Sequence, residues 1–260
     1  MRLDVYLFTK GYVKSRQKAK ILIEEGNVTV NSSVIKKSAY EINDETEYVI
    51  EINDTYPYVS RGGLKLEKML NELCLDLNNK IAIDIGASTG GFTHCLLLHG
   101  ISRVYAVDSG TNQLDETLIN DDRVISIEGF NARDLTVDFI GNLVDLIVCD
   151  VSFISQSFII EVAKDLLKSE GIYIGLIKPQ FEVGKSKIGK GGIVKEPKYR
   201  LEAIKKIMDC AKENGLKCFA FIKSPIFGGD GNVEYVAAFA KTDNTSKNEI
   251  PFAKIKEIYK

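Results

Sequence analysis

The chain has 260 residues, 45% hydrophobic and 27% charged, with a formal net charge of −2 at pH 7, the profile of a globular protein of one medium domain or one plus a small module. That balance excludes a globally basic nucleic-acid binder, so any surface for RNA or DNA has to be local. No apolar run is as long as a membrane span, no signal-peptide core stands at the N-terminus, and five scattered cysteines without a C-x-x-C pair read as reduced thiols of a cytoplasmic protein.

Residues 1–53 read as a separate small α+β unit. Leu3, Tyr6, Leu7 and Phe8 predict a short helix from about Arg2, stopped by Gly11. Ser15 is a candidate N-cap for a second helix, Arg16 to Glu25, with Ala19, Ile21, Leu22 and Ile23 as its apolar positions. Past Gly26, Val28 and Val30 alternate with polar residues, Asn31-Ser32-Ser33 turns, Val34-Ile35 returns, and Tyr48 to Ile52 forms the last strand. Residues 1–40 hold eight basic side chains against three acidic ones, whereas 41–54 hold six acidic and no basic ones. A helix pair with a basic face and a following hairpin can track a phosphate backbone; a solvated charged face is the alternative.

Residues 54–60 form a short linker, stiffened by Pro57 between Tyr56 and Tyr58. An amphipathic helix then runs to about Leu73, with Lys65 near its start, where the helix dipole gives a cation no benefit. Ile81, Ile83 and Ile85 read as a short buried strand interrupted by Asp84, followed by Gly86, Gly90, Gly91 and a buried helix from Phe92 to Leu98. In an open parallel sheet, ligands bind off the carboxyl end of such a strand. The dinucleotide fingerprint wants G-x-G-x-x-G, but position 88 is Ser and the pattern is D-x-G-x-x-x-G-G. Arg103 to Asp108 is a second strand, ending in a carboxylate 24 residues after Asp84, where dinucleotide folds hold a ribose diol.

Val124 to Glu128 is a third strand, and Asp134 beyond it either accepts from an adenine amino group or caps a turn. A fourth strand ends in Asp150, a helix spans Ile154 to Lys168, and a fifth strand from Gly171 ends in Lys178. The loop after it carries Lys185, Lys187, Lys190 and Lys195 among glycines, and is expected to be mobile and able to close over RNA. A helix from Pro197 to Asn214, a strand from Lys217 to Lys223, a glycine loop at 228–231 and a strand from Asn232 to Lys241 complete the sheet. Residues 242–260 form a polar tail, weakly amphipathic from Phe252. Two signals fail: Gly184-Lys185-Ser186 lacks the first glycine of a phosphate loop, since position 179 is Pro, and His94 and His99 have no metal-ligand partners by spacing.

The D-x-G-x-x-x-G-G turn resembles the first motif of S-adenosylmethionine-dependent methyltransferases. The resemblance implies an α/β fold with a Rossmann-like, seven-stranded class I methyltransferase sheet over residues 61–241. It also implies S-adenosyl-L-methionine as cofactor, held by Asp84, Gly86, Ala87, Ser88, Gly90, Gly91, Phe92, Asp108 and Asp134. After the fourth strand, Asp150-Val151-Ser152-Phe153 lacks the prolines of an amino-group methyltransferase. Cys149, the nearby candidate nucleophile for a base carbon, lies within an apolar strand, which leaves a ribose hydroxyl. Lys65, Asp150, Lys178 and Glu234 match, in order, the Lys–Asp–Lys–Glu set of the FtsJ-like ribose 2′-O-methyltransferases. That match implies Lys178 as general base, Lys65 as a second cation that aids it and steers RNA, Asp150 as the group orienting Lys178, and Glu234 as the group positioning the lysines or the ribose.

Arg2-Leu3-Asp4-x-x-Leu7, Ser15-Arg16-x-x-Ala19 and Ile23-x-x-Gly26-x-Val28-x-Val30-Asn31 look like the S4-type RNA-binding module. This implies RNA contacts by Arg2, Ser15, Arg16, Lys18, Lys20, Asn31 and Lys36, through shape and phosphate recognition, since no aromatic stacking signature is evident. Up to about residue 241 the chain is identified as a member of the TlyA family. The membership implies methylation of a cytidine ribose 2′-hydroxyl in ribosomal RNA within ribosomal subunits, with neither metal nor membrane. The family was first described as haemolysins, so a pore-forming protein is the competing class; it requires export and a membrane-competent segment, and the sequence carries neither. An RNA-binding protein with an inactive methyltransferase domain is a third reading, opposed by the intact glycine turn and the four catalytic candidates.

Overall fold

The computed structural model describes the chain apart from residues 14, 15, 25, 54, 55, 229, 230 and 260. The expected N-cap Ser15, the helix end Glu25, two linker residues and half of the 228–231 glycine loop thus lie outside the described residues. The chain divides into two compact units, Met1–Pro57 and Tyr58–Lys260.

In the first unit, helices α1 (Leu3–Thr9) and α2 (Arg16–Glu24) precede strands β1 (Val28–Val30), β2 (Ser33–Val34) and β3 (Ile50–Ile52), an antiparallel sheet of order β2-β1-β3. Leu3, Leu7, Ala19, Leu22, Ile23, Val28 and Val30 close a core with Ile42. The β1–β2 turn runs through Asn31 and Ser32, both in the left-handed region, which short polar side chains tolerate. Phe8 departs from the apolar helix face expected of it and is 47% exposed. Asp4 takes a place on the buried side instead, where Arg2 (2.8 Å) and Arg16 (3.0 Å) pair with it.

The second unit begins with α3 (Gly62–Leu73), β4 (Ile81–Ile85), α4 (Gly91–Leu98), β5 (Arg103–Val107), α5 (Glu116–Ile119), β6 (Val124–Ile127), α6 (Val137–Ile140) and β7 (Val144–Cys149). It continues with α7 (Ser157–Leu166), β8 (Leu167–Ile177), α8 (Pro179–Glu182), α9 (Pro197–Glu213), β9 (Leu216–Lys223), β10 (Tyr235–Lys241) and α10 (Phe252–Ile258). The seven-stranded sheet has the order β6-β5-β4-β7-β8-β10-β9; β4 to β8 pair in parallel, and β10 runs antiparallel to both its neighbours.

Strand alternation sorts the core onto two faces. Ile83, Ile85, Tyr105, Val107, Ile147 and Tyr173 pack with α7, α9 and α10, while Ala82, Val104, Ala106, Leu146, Val148 and Ile174 pack with α3 and α4. The expected helix to Lys168 stops two residues earlier. The chain turns extended at Leu167, and the β7–β8 register slips between Val144 and Leu146 to absorb it. The last strand starts at Tyr235, not Asn232. The tail is not free: Ile255 is buried in the α7/α9 face, and the Tyr235 hydroxyl donates to the Tyr259 carbonyl at 2.8 Å. No helix among the described residues is long and apolar enough to cross a membrane.

Candidate active site

The sheet order reverses between β4 and β7, so the carboxyl ends of these strands open the crevice in which open α/β sheets bind ligands. At the end of β4, Gly86 has φ +81, and a Cβ there would lie 2.8 Å from the Asp150 carbonyl oxygen. The first glycine of the motif is therefore demanded by the close approach of the β4 and β7 ends. Ser88, at φ +48, donates its N–H to Asp108 Oδ2 at 2.8 Å, and the Gly110 N–H donates to Asp108 Oδ1 at 2.7 Å. Asp108 thus closes β5 with one backbone donor on each oxygen.

The loop beyond it hangs on Glu128, which accepts the N–H groups of Gln113, Asn112 and Leu114. These bonds, Gln113 foremost, hold its carboxyl below the usual range.

Asp84 lies on the α4 face and is fully buried. Its Oδ2 accepts from the Thr93 N–H (2.9 Å) and hydroxyl (2.7 Å), and its Oδ1 has no partner. Burial pushes this carboxyl up to about 7, against the opposing pull of the Thr93 bonds. Asp84 therefore pins α4 beneath the turn. Gly90 packs against Leu118 and Leu114, Gly91 against Ser60, and Phe92 within the core, so these three face the protein. Ala87 is buried, Ser88 is half-buried, and Asp134 is exposed at the end of a short 3-10 turn past β6.

Lys65, Asp150, Lys178 and Glu234 come together beside this turn. Ile177 pairs with Tyr235 in the β8–β10 ladder, which sets Lys178 and Glu234 next to each other at the same rim. Asp150 follows β7, the other neighbour of β8, and α3 brings in Lys65. Lys65 Nζ lies 2.7 Å from Glu234 Oε2 and 3.5 Å from Asp150 Oδ2, while Lys178 Nζ lies 2.6 Å from Asp150 Oδ1. Each lysine faces a carboxylate within ion-pair distance, and this pairing is what permits burial of the cluster. Burial alone would pull Lys65 down, but Asp150 and Glu234 outweigh it and hold its pKa above the ordinary lysine value. Burial opposes the charge of Asp150 as well, and Lys65 and Lys178 together keep it below the usual range.

Sequence reasoning missed two neighbours. Ser152 Oγ accepts from Lys178 Nζ at 2.8 Å. Phe153 is 92% exposed, in the left-handed region at φ +65, with its ring centroid 5.2 Å from that of Phe181. A run of Ser-Phe after a strand carries no signal for either; only the backbone geometry at 153 turns that ring outward. The basic loop, expected to be mobile, is folded into two 3-10 turns and pinned by buried Asn232, which accepts from the Val194 N–H (2.9 Å) and donates to the Gly192 carbonyl (2.9 Å). Lys187 in that loop is paired with Glu202.

Burial pushes the Cys149 thiol up to about 12, which holds this cysteine in its protonated, weakly nucleophilic form. His94 Nδ1 accepts the Val59 N–H at 3.1 Å, and the His99 ring bonds the Cys95 carbonyl.

In the first unit, burial raises the cost of the Asp4 charge, yet Arg2 and Arg16 hold its pKa below the usual range. Both guanidinium groups remain about half exposed. Lys20 sits 3.8 Å from Glu24, Lys36 is exposed, and Asn31 uses its Oδ1 to accept the Val49 N–H. Ser15 lies outside the described residues.

A seven-stranded sheet of this order, with an antiparallel β10 and a glycine turn at the switch point, defines a methyltransferase of the class that uses S-adenosylmethionine. Residues 58–241 match the family model for FtsJ-like methyltransferases, and residues 1–47 match the S4 domain. Hemolysin A of Brachyspira hyodysenteriae is 45% identical over 92% of this chain and 99% of its own length. The 16S/23S rRNA (cytidine-2′-O)-methyltransferase TlyA of Mycobacterium tuberculosis is 38% identical over 90% of this chain and 87% of its own. A solved structure of a candidate hemolysin from Streptococcus thermophilus, 39% identical, superposes with a TM-score of 0.79, covering 100% of this chain and 94% of that one. The chain belongs to the TlyA family of FtsJ-like methyltransferases with an N-terminal S4 domain.

Proposed function

We propose that this chain methylates a cytidine ribose 2′-hydroxyl of ribosomal RNA within a ribosomal subunit, in the cytoplasm, using S-adenosylmethionine. The observation that carries this reading is the convergence of Lys65, Asp150, Lys178 and Glu234 within ion-pair distance beside the switch point. In this reading residues 1–53 dock RNA, 54–60 link, and 61–241 carry out the chemistry.

The turn suits the cofactor. Gly86 leaves no side chain at the mouth of the crevice, and each oxygen of Asp108 keeps lone-pair capacity for a ribose diol beyond its one backbone donor. Gly86, Ala87, Ser88 and Asp108 would hold the cofactor directly, with Asp134 at the adenine end. Asp84, Gly90, Gly91 and Phe92 would hold the turn itself in shape. When bound, S-adenosylmethionine supplies a methyl group on a sulfonium, open to in-line attack by oxygen.

The chain's task is then to remove one proton from a weakly nucleophilic hydroxyl. Lys65 is held charged by two carboxylates, so it serves as the fixed cation and not the base. Lys178 Nζ, as the neutral amine, takes the proton through its lone pair. Asp150 Oδ1, at 2.6 Å, stabilises the ammonium so formed, and Ser152 Oγ fixes its direction. Phe153 presents an exposed ring on which a splayed-out base can stack. Lys18, Lys20, Lys36 and the exposed edges of Arg2 and Arg16 supply phosphate contacts in the first unit.

Transfer of labelled methyl from S-adenosylmethionine to purified ribosomal subunits lacking the modification tests the reading. Label is expected with the wild type and not with Lys178→Ala or Lys65→Ala. Intact cofactor binding with no label on either subunit would overturn the ribosomal substrate.

A further inference from the structure

The segments carrying Asp150 and Lys178 leave the sheet from neighbouring strands, β7 and β8, and neither stays in the sheet after its functional residue. Their mutual position therefore depends on what ties residues 150–157 to residues 178–182. Beyond the catalytic pair, the Lys178–Ser152 bond and the Phe153–Phe181 contact, one side chain makes two further bonds across that gap. Glu182, on the one-turn helix α8, has a carboxylate 2% exposed. Its Oε1 accepts the Gln156 N–H at 2.8 Å. Its Oε2 accepts the Ser155 hydroxyl at 2.5 Å and Lys206 Nζ at 2.9 Å. Lys206, from α9, also donates to Ser155 Oγ (3.0 Å) and to the Glu182 carbonyl (3.2 Å).

Gln156 is the N-cap of α7 and uses no side chain to cap it. Glu182 supplies the missing acceptor from another element, at the helix end where negative charge is favoured. A buried carboxylate is costly unless paired, and an apolar side chain could fill the same volume. What the carboxylate adds is direction, because three donors from two other segments meet on two oxygens.

We propose that Glu182 is a positioning residue that sets the Lys178–Asp150 geometry by clamping the loop after β7 to the turn after β8, without touching cofactor or RNA. The kinetic part of this inference rests on the proposed methyl transfer; the geometric part does not.

Two readouts on the full chain separate them. Lys178 Nζ, 10% exposed and ion-paired, is followed by reductive methylation and mass spectrometry, with Lys65 as internal reference because its shorter pair, 2.7 Å to Glu234 just ahead of β10, lies outside the clamped segments. In Glu182→Ala, Lys178 is expected to react roughly tenfold faster than in the wild type while Lys65 is unchanged, as local opening requires. Methyl-transfer kcat is expected to fall about 10- to 100-fold with KM for S-adenosylmethionine unchanged, as a small misplacement of a reacting group does. Glu182→Gln keeps a carbonyl acceptor for the Gln156 N–H and is expected to recover most of both. Lys178 reactivity within twofold of wild type in Glu182→Ala, or an equal rise at Lys65, overturns the clamp. If the wild type transfers no methyl while Lys178 reactivity responds as expected, the proposed function falls and the clamp stands.

Discussion

Lys65 and Glu234 make the site's stability separable from its activity. Lys65→Met removes the 2.7 Å partner of a Glu234 carboxylate that is 2% exposed. Breaking a buried pair from one side costs about 3 kcal/mol or more, because the stranded charge stays buried. Glu234→Gln strands Lys65 less completely, since Asp150 Oδ2 remains 3.5 Å away, and the cost is expected to be about half as large. The double variant leaves neither charge stranded, so its destabilisation should fall below the sum by about 2 kcal/mol. For a unit of this size, about 2–4 °C per kcal/mol places Lys65→Met some 6–12 °C below the wild type in Tm. Scanning calorimetry of the four proteins gives the cycle, and methyl transfer is measured alongside. The double variant should regain stability and stay at least about 100-fold less active. Additive single effects, with a coupling under about 0.5 kcal/mol, would refute the paired arrangement.

Other outcomes follow from single residues. Asp84 is raised to about 7 against an ordinary 3.8, so the unfolded chain ionises first and stability attributable to this group declines as pH rises from about 4 to about 7; Asp84→Asn should flatten that slope in thermal melts across this range. His94 has its pKa lowered by burial, so its neutral form accepts the Val59 N–H, and its share of stability should be present above about 6.5 and lost as pH falls through its folded value; His94→Ala should remove that acid-side loss in the same melts. Phe153→Gly should relieve about 1 kcal/mol of left-handed strain, visible as a higher Tm, and still weaken RNA binding about tenfold through lost stacking. Lys20→Ala should weaken RNA binding with little sequence dependence and reduce the salt slope by about one, whereas Asp4→Ala should lower the melting temperature of the first unit by uncoupling Arg2 and Arg16.

Much of the sheet is legible because its strands are short apolar runs cut by glycine and acidic residues. Ile81, Ile83 and Ile85 against Ala82 and Asp84 assign each residue to a face, and Asp84 meets Thr93 because both lie on the α4 side. Residues 166–168 mislead because Leu166, Leu167 and Lys168 continue a helical pattern; the turn into β8 is set by packing beside Val144, which local spacing does not report. The one-turn helices α5 and α6 are too short for periodicity to show, though Asp115 and Thr136 cap them. In the site, Lys65 and Glu234 are 169 residues apart, and only their order within a resemblance singled them out. Glu182 carries no local signal in the sequence, because the donors that bury it come from residues 155, 156 and 206. Asp4 and Arg16 illustrate the opposite case: a basic face counted from composition turns out to be partly neutralised by a buried carboxylate.

The position of the transferred methyl identifies the group that attacks S-adenosylmethionine. Ribosomal RNA treated with the wild-type protein and labelled S-adenosylmethionine, digested to nucleosides and resolved by mass spectrometry, should yield label in 2′-O-methylcytidine, and none after treatment with Lys178→Ala. Label on a cytosine ring carbon or exocyclic nitrogen, or label that persists in Lys178→Ala, would contradict a ribose hydroxyl deprotonated at Lys178 Nζ.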